Sequence, residues 1–169
     1  MIVFRDGGSD GTFQDIQDME VQAIRDAIDE LDELFGNGTR TSPSITFVVA
    51  QKDHNMRIVP HRRDDAVRGN VPSGTLVDDY LTAYQSSENE NNAFDFLLTP
   101  QGGLKGTSKP MHYRVLLNEN ANAAKPLTKQ ILYNIVYAMS FQCESAPKQK
   151  CAEYSRSSGN LSHSLLFHL

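Results

Sequence analysis

The sequence predicts an α/β fold, and three stretches carry that expectation. Ile45-Thr46-Phe47-Val48-Val49-Ala50 is a β-branched run with the composition of a strand buried on both faces. Ile2-Val3-Phe4-Arg5-Asp6 is a second apolar run, and it ends on a carboxylate followed by Gly7 and Gly8. Between them Met19, Val21, Ile24, Ile28, Leu31 and Leu34 recur at helical spacing with acids in between, which predicts an amphipathic helix from about Asp15 to Leu34.

The remaining elements follow in order. Gly36-Asn37-Gly38 is a helix stop. The polar stretch Gln51 to Arg57 leaves the buried strand, and Ile58-Val59 reads as a short further strand. His61 to Arg68 is a charged loop, punctuated by Gly69 to Thr75, with Leu76-Val77 as another short strand. Gln85 to Asn92 is polar throughout and reads as an exposed loop. Phe94-Asp95-Phe96-Leu97-Leu98 and Tyr113-Arg114-Val115-Leu116-Leu117 are strands. They flank a glycine-rich loop, Gln101 to Pro110, whose spacing is not that of a Walker A loop. Leu127, Ile131, Leu132, Ile135, Val136 and Met139 mark a second, largely buried helix, with Tyr137 and Met139 as core. Past Cys143 come a basic turn at Pro147 to Lys150, a short helix at Cys151 to Arg156, and an apolar end from Leu161. No internal repeat is present.

Composition bounds the function. The chain has 169 residues, 39% hydrophobic and 22% charged, which is the size of one domain with a full core. Cys143 and Cys151 are the two cysteines, too few for a disulfide framework, so both are expected as thiols in a reducing compartment. No basic segment followed by an apolar stretch marks a secretory signal, and no apolar run reaches membrane-spanning length. Without secretion, the acceptor patterns at Asn37 and Asn160 are chance matches. The net charge of −5 argues mildly against nucleic acid, but its distribution argues the other way. Acids crowd the first third, whereas Lys52, Arg57, Arg62, Arg63 and Arg68 gather in the middle, followed by Lys105, Lys109 and Arg114. A domain acidic on one face can still carry a basic groove on another; two solvated faces of opposite sign are the plain alternative.

Two places suit chemistry. A strand that ends on Asp6 before glycines holds a carboxylate at a sheet edge, where it can meet a cation, although the same pattern describes ordinary turns. Lys52 and Arg57 follow the buried strand, at the end where open α/β sheets bind ligands; Lys is a point charge and Arg a fork for phosphate. A polar hairpin tip would look the same.

Five segments then resemble one family in the same order. Residues 2–13, Ile-Val-Phe-Arg-Asp-Gly-Gly-Ser-Asp-Gly-Thr-Phe, resemble the strand and turn that open the second half of the Piwi domain of Argonaute proteins. The others are Ile45 to Arg57, with its Gln-Lys-x-His-x-x-Arg; Gly69 to Asp78; Phe94-Asp95-Phe96 with Gly106 to Leu116; and Leu127 to Tyr137. The resemblance covers about the first four-fifths of the chain, and five ordered segments are far more specific than any one of them. It implies an RNase H-like α/β fold, a mixed sheet flanked by helices, with residues 1–169 forming a partial Piwi domain whose tail diverges from about 143.

The resemblance also implies a function: holding a small guide RNA, or a guide paired with its target RNA, in gene silencing. Gln51, Lys52, Arg57, Thr107 and Lys109 match positions that face or lie beside the guide backbone, and such contacts position a strand without reading its bases. Asp53 stands where the family usually has a basic residue, which is expected to weaken phosphate binding locally. Asp6 matches one aspartate of the catalytic tetrad with which slicing members hold two divalent ions, Mg²⁺ or Mn²⁺. The upstream tetrad members have no counterpart, and the last falls at Ala152, with Glu153 adjacent and read as a surface residue. One carboxylate does not make a two-metal site, so the expectation is binding without cleavage and with no cofactor needed. The alternatives are a fragment of a metal-dependent slicer, with Asp6 as ligand, and a decayed Piwi surface that binds protein partners of silencing complexes. A cytoplasmic or nuclear location and no membrane association are expected. Without the family's upstream strands, the strand at 2–6 is expected to show an open edge. Ser157 lies near the position of an arginine for the guide's 5′ phosphate, which puts that contact in doubt.

Overall fold

A computed structural model of the chain describes residues 1–35, 43–62, 66–79, 93–102, 106–122, 126–141 and, for the backbone, 164–167. Its strands are β1 (Ile2–Asp6), β2 (Thr46–Gln51), β3 (Thr75–Val77), β4 (Phe94–Thr99), β5 (Met111–Asn118) and β6 (Ser164–Phe167). The helices are α1 (Phe13–Ile16), α2 (Gln22–Phe35) and α3 (Lys129–Met139). One mixed sheet contains the strands in the order β3-β4-β5-β2-β1-β6. β1 and β2 run parallel, as a helical crossover between them requires, and the remaining pairs are antiparallel.

Side-chain alternation divides the sheet into two faces. Ile2, Phe4, Val48, Phe96 and Val115 point to one, where Leu132, Tyr133 and Val136 of α3 close the core. Val3, Phe47 and Val49 point to the other, where Phe13, Ile16 and Val21 pack. The predicted first helix begins two residues early, at Phe13, and passes through a π-turn at Gln17–Val21 before α2. Most of its acids lie on the solvent side, although Glu20 turns in to Arg5; of the predicted apolar stripe Val21 is buried and Ile24 and Ile28 are half-buried against the core, whereas Met19, Leu31 and Leu34 are exposed. In α3 the side chain of Thr128 accepts from the Ile131 N–H and caps the helix. Tyr137 and Met139 pack at the margin of the core, while Ile131 stays exposed.

The register also contains a departure from alternation. Phe47 pairs with Leu117 and Val48 with Val115, so Leu116 is left over as a bulge. The extra residue turns consecutive Leu116 and Leu117 into the same core.

Two expectations need correction. Ile58-Val59 is not a strand: residues 52–60 have no ladder. Local bonds satisfy this backbone instead, because Arg57 donates to the carbonyls of His54 (3.2 Å) and Met56 (2.7 Å), and Met56 N donates to His54 Nδ1 at 3.2 Å. Nor does β1 present an open edge. β6 pairs antiparallel along it, Ile2 opposite Phe167 and Arg5 opposite Ser164, so the chain's own tail takes up those backbone groups. The stop at Gly36-Asn37-Gly38, the loop from Gln85 to Asn92, Arg63, Lys105, both cysteines, the turn and helix at 147–156, Ala152, Glu153 and Ser157 lie outside the described residues.

Candidate nucleic-acid interface

Parallel pairing brings the carboxyl ends of β1 and β2 to one edge of the sheet. Asp6 is opposite Ala50, so Gln51 and Lys52 follow immediately beyond it. The antiparallel β5 starts at the same edge, with Gln51 opposite His112, which brings Pro110 and Lys109 beside the exit of β2. Thus residues about 55 positions apart in sequence meet through strand pairing alone.

Past the end of β1 the backbone turns at Gly7 (φ 71°) and Gly8 (φ 150°). A Cβ on Gly8 would meet Ile16 and Phe13 at 3.2 Å, so the turn is shaped both by its left-handed conformation and by the helix packed on it. Gly7 N–H donates to Ala50 O at 2.8 Å, and Gln51 Nε2 donates to Gly8 O. Arg5 donates to the Gly7 carbonyl and holds Glu20 through Nε at 2.8 Å.

Gln51 is itself held from behind. Its Oε1 lies 3.0 Å from His112 Nδ1, and His112 Nε2 lies 3.0 Å from Asp95 Oδ2. Asp95 and His112 are both buried, and the other oxygen of Asp95 has no hydrogen-bond partner. The Asp95–His112–Gln51–Gly8 chain therefore links β4, β5, β2 and the turn after Asp6. Sequence reasoning put Asp95 and His112 in the matching segments but gave them no role; ionisable residues inside two strands that read as buried were the available signal.

The basic side chains surround this frame. Thr107 and Lys109 are exposed, whereas Ser108 and Pro110 between and after them are buried, so the extended segment turns the first pair outward on one side. Asn70, 5% exposed, fixes that segment: its Nδ2 donates to Gly106 O at 2.9 Å and its Oδ1 accepts from Ser108 N at 2.8 Å. Lys52 is half-buried, with Asp53 exposed beside it and Arg57 exposed further along.

His54 reports the local field. Its Nε2 lies 3.0 Å from Pro110 O, and its ring meets that of His112 edge-on at 6.1 Å. Burial lowers its pKa below 6.5; the Pro110 carbonyl opposes this, and the charges of His112, Arg57 and Lys109 lower it further. Arg57 and Lys109, from different segments, thus act on one imidazole. The folded state binds this proton less readily than the unfolded chain, so the His54 contribution to stability is full above pH 6.5 and is lost as pH falls through the lowered folded value. Thermal unfolding across pH 7.5 to about 5 is expected to show stability declining below about pH 6.5, with a shallower decline in His54→Gln.

Asp6 stands half-buried at the end of β1. Among the described residues no group of three or more His, Cys, Asp or Glu side chains is placed to hold a metal ion. Asp6 with the described residues around it supplies fewer oxygens than a two-metal centre needs in fixed geometry.

A mixed sheet with helices on both faces, an aspartate ending one parallel strand and a carboxyl edge shared with basic loops is an RNase H-like α/β domain. The chain belongs to the Piwi domain family, whose model matches residues 1–151. It is 39% identical to rice (Oryza sativa subsp. japonica) protein argonaute 12 over 139 residues, covering 81% of this chain and 12% of that protein. It is 37% identical to Arabidopsis thaliana protein argonaute 5 over 141 residues, covering 81% of this chain and 13% of that protein. Among solved structures, Kluyveromyces polysporus Argonaute with a guide RNA matches with a TM-score of 0.64 and 27% identity, over 82% of this chain and 16% of that one. The C-terminal lobe of a budding yeast Argonaute matches with a TM-score of 0.62 and 27% identity, over 75% and 25%. The chain spans 12–13% of the length of these curated relatives. No helix among the described residues is long and apolar enough to cross a membrane.

Proposed function

We propose that this chain is a partial Piwi domain that holds the phosphate backbone of a small guide RNA, alone or paired with its target RNA, and does not cleave it. Lys52, Arg57 and Lys109 supply the charge, and Gln51 and Thr107 lie beside them. What supports this reading is strand register: Gln51 lies opposite His112, so Lys52 leaves β2 at the edge where Lys109 and Pro110 enter β5, and His54 from the Arg57 loop reaches the Pro110 carbonyl at 3.0 Å. Cations on such an edge contact phosphate oxygens in any sequence, which suits a domain that receives many different guides. The similar Kluyveromyces polysporus structure contains a guide RNA, which adds to the support.

Absence of cleavage is part of the proposal and rests on the sequence reading, in which Asp6 is the single match to the catalytic tetrad. With a paired RNA duplex and Mg²⁺ or Mn²⁺ up to several millimolar, the target strand is expected to stay intact. Metal-dependent cutting that Asp6→Ala abolishes would overturn this part and favour the slicer-fragment reading. A protein-binding role has one observation of its own: Leu34 and Phe35 end α2 with 67% and 79% of their surfaces exposed. Contacts of that kind respond weakly to salt, whereas backbone binding weakens steeply, so salt titration separates the two.

A further inference from the structure

We infer that Arg68 is a further backbone-contacting cation of this interface, an inference that rests on the RNA-binding reading above. Val67 and Asn70 form an antiparallel bridge closed by both backbone bonds, Val67 N to Asn70 O at 2.8 Å and Asn70 N to Val67 O at 3.1 Å. The two residues between them both have positive φ, Arg68 at 54° and Gly69 at 79°. A two-residue hairpin turn of this kind favours Asn-Gly or Gly-Gly, because a Cβ is crowded in the left-handed region. Arg68 is the one non-glycine residue with positive φ among those described. Local folding therefore disfavours the side chain that stands there, and the strain calls for a role outside the turn.

Its position supplies that role. Asn70, which closes the hairpin, is the same residue that clamps Gly106 and Ser108, and so holds the hairpin against the segment that displays Thr107 and Lys109. Arg68 is exposed, two residues from the clamp. Among the described residues no hydrogen bond or ion pair engages its guanidinium, whereas Arg5, Arg25 and Arg114 are tied to Glu20, Glu119 and Asp10 and Arg57 to carbonyls of its own loop. An exposed, forked cation on the hairpin that Asn70 ties to the 106–108 segment extends the basic edge by one phosphate contact.

The test compares the 169-residue chain with Arg68→Gly, Arg68→Asn and Arg68→Lys, using a fluorescein-labelled RNA duplex over 50–300 mM salt. Arg68→Gly is expected to bind about 5- to 8-fold more weakly at 0.1 M salt, with a log–log salt slope shallower by about 0.7–0.9, the amount for one lost contact. Its melting temperature is expected to equal or exceed that of the parent, since glycine relieves the turn, so weaker binding cannot come from unfolding. Arg68→Lys is expected to keep the slope. Parent-like affinity and slope in Arg68→Gly would overturn the inference while leaving the RNA-binding reading intact. Salt-independent or absent binding by the parent chain would instead overturn that reading. Loss of folding in both the Gly and Asn variants would make Arg68 a structural residue, and the inference would fail.

Discussion

Replacing Lys52, Arg57 and Lys109 together by alanine is expected to lower affinity for an RNA duplex roughly 100- to 500-fold at 0.1 M salt. Each phosphate contact displaces condensed counterions and contributes about 5- to 8-fold at that ionic strength, and three contacts compound. The log–log salt slope is expected to become shallower by about 2–2.7, and this change is the more diagnostic quantity. A general loss of structure would reduce affinity without that coordinated change. Arg57 and Lys109 are exposed, and the carbonyls of His54 and Met56 to which Arg57 donates lie in a loop that water reaches, so the triple variant should keep the sheet, with a small loss of stability from the loop. Fluorescence anisotropy across a salt series, with circular dichroism as the folding control, decides the matter. An unaltered slope would mean that these three cations do not face the backbone.

Asn70→Ala is expected to cost about 2–4 kcal/mol of folding stability, because it strands two backbone groups at once. The Ser108 N–H is buried and loses its acceptor, while the Gly106 carbonyl loses its donor in a more exposed setting where water can partly replace it. The cost should therefore fall mostly on Ser108. Denaturant unfolding measures it. RNA affinity should fall as well, even where the variant is fully folded, since the segment that displays Thr107 and Lys109 loses its anchor. Combining Asn70→Ala with Lys109→Ala tests this coupling: the two losses in affinity should be less than additive, because Asn70 acts on binding in part through Lys109. Full additivity would mean that the clamp does not position the lysine.

The two substitutions probe different levels of the same arrangement. Lys52, Arg57 and Lys109 provide charge, which any exposed cation could supply. Asn70, Gln51, His112 and Asp95 provide location, which depends on buried bonds with few substitutes. An interface that grips a regular backbone needs its cations at fixed separations, so the buried polar frame behind them matters as much as the charges in front.

Much of the architecture was legible in the chain itself. Apolar runs marked β1, β2, β4 and β5, and 3.6-residue periodicity marked both main helices, because these signals reside in neighbouring residues. Asp6 at a strand end, and Lys52 and Arg57 after another, were legible for the same reason. What failed was governed by partners far away in sequence. Ile58-Val59 has strand composition, but no neighbouring strand offers it a ladder, and Arg57 occupies the carbonyls nearby. The strand at 2–6 reads as an open edge until β6 returns from the far end of the chain to pair with it.

Composition and periodicity by themselves determined most of the segments that become strands and helices, and that a basic middle follows an acidic first third. Tertiary structure alone decided that Gln51 lies opposite His112, that Asp95 stands behind the pair, and that Asn70 ties the Arg68 hairpin to the 106–108 segment. The physical reason is register: a strand's side chains are written locally, but which residue faces which is set only when distant strands exchange their backbone hydrogen bonds.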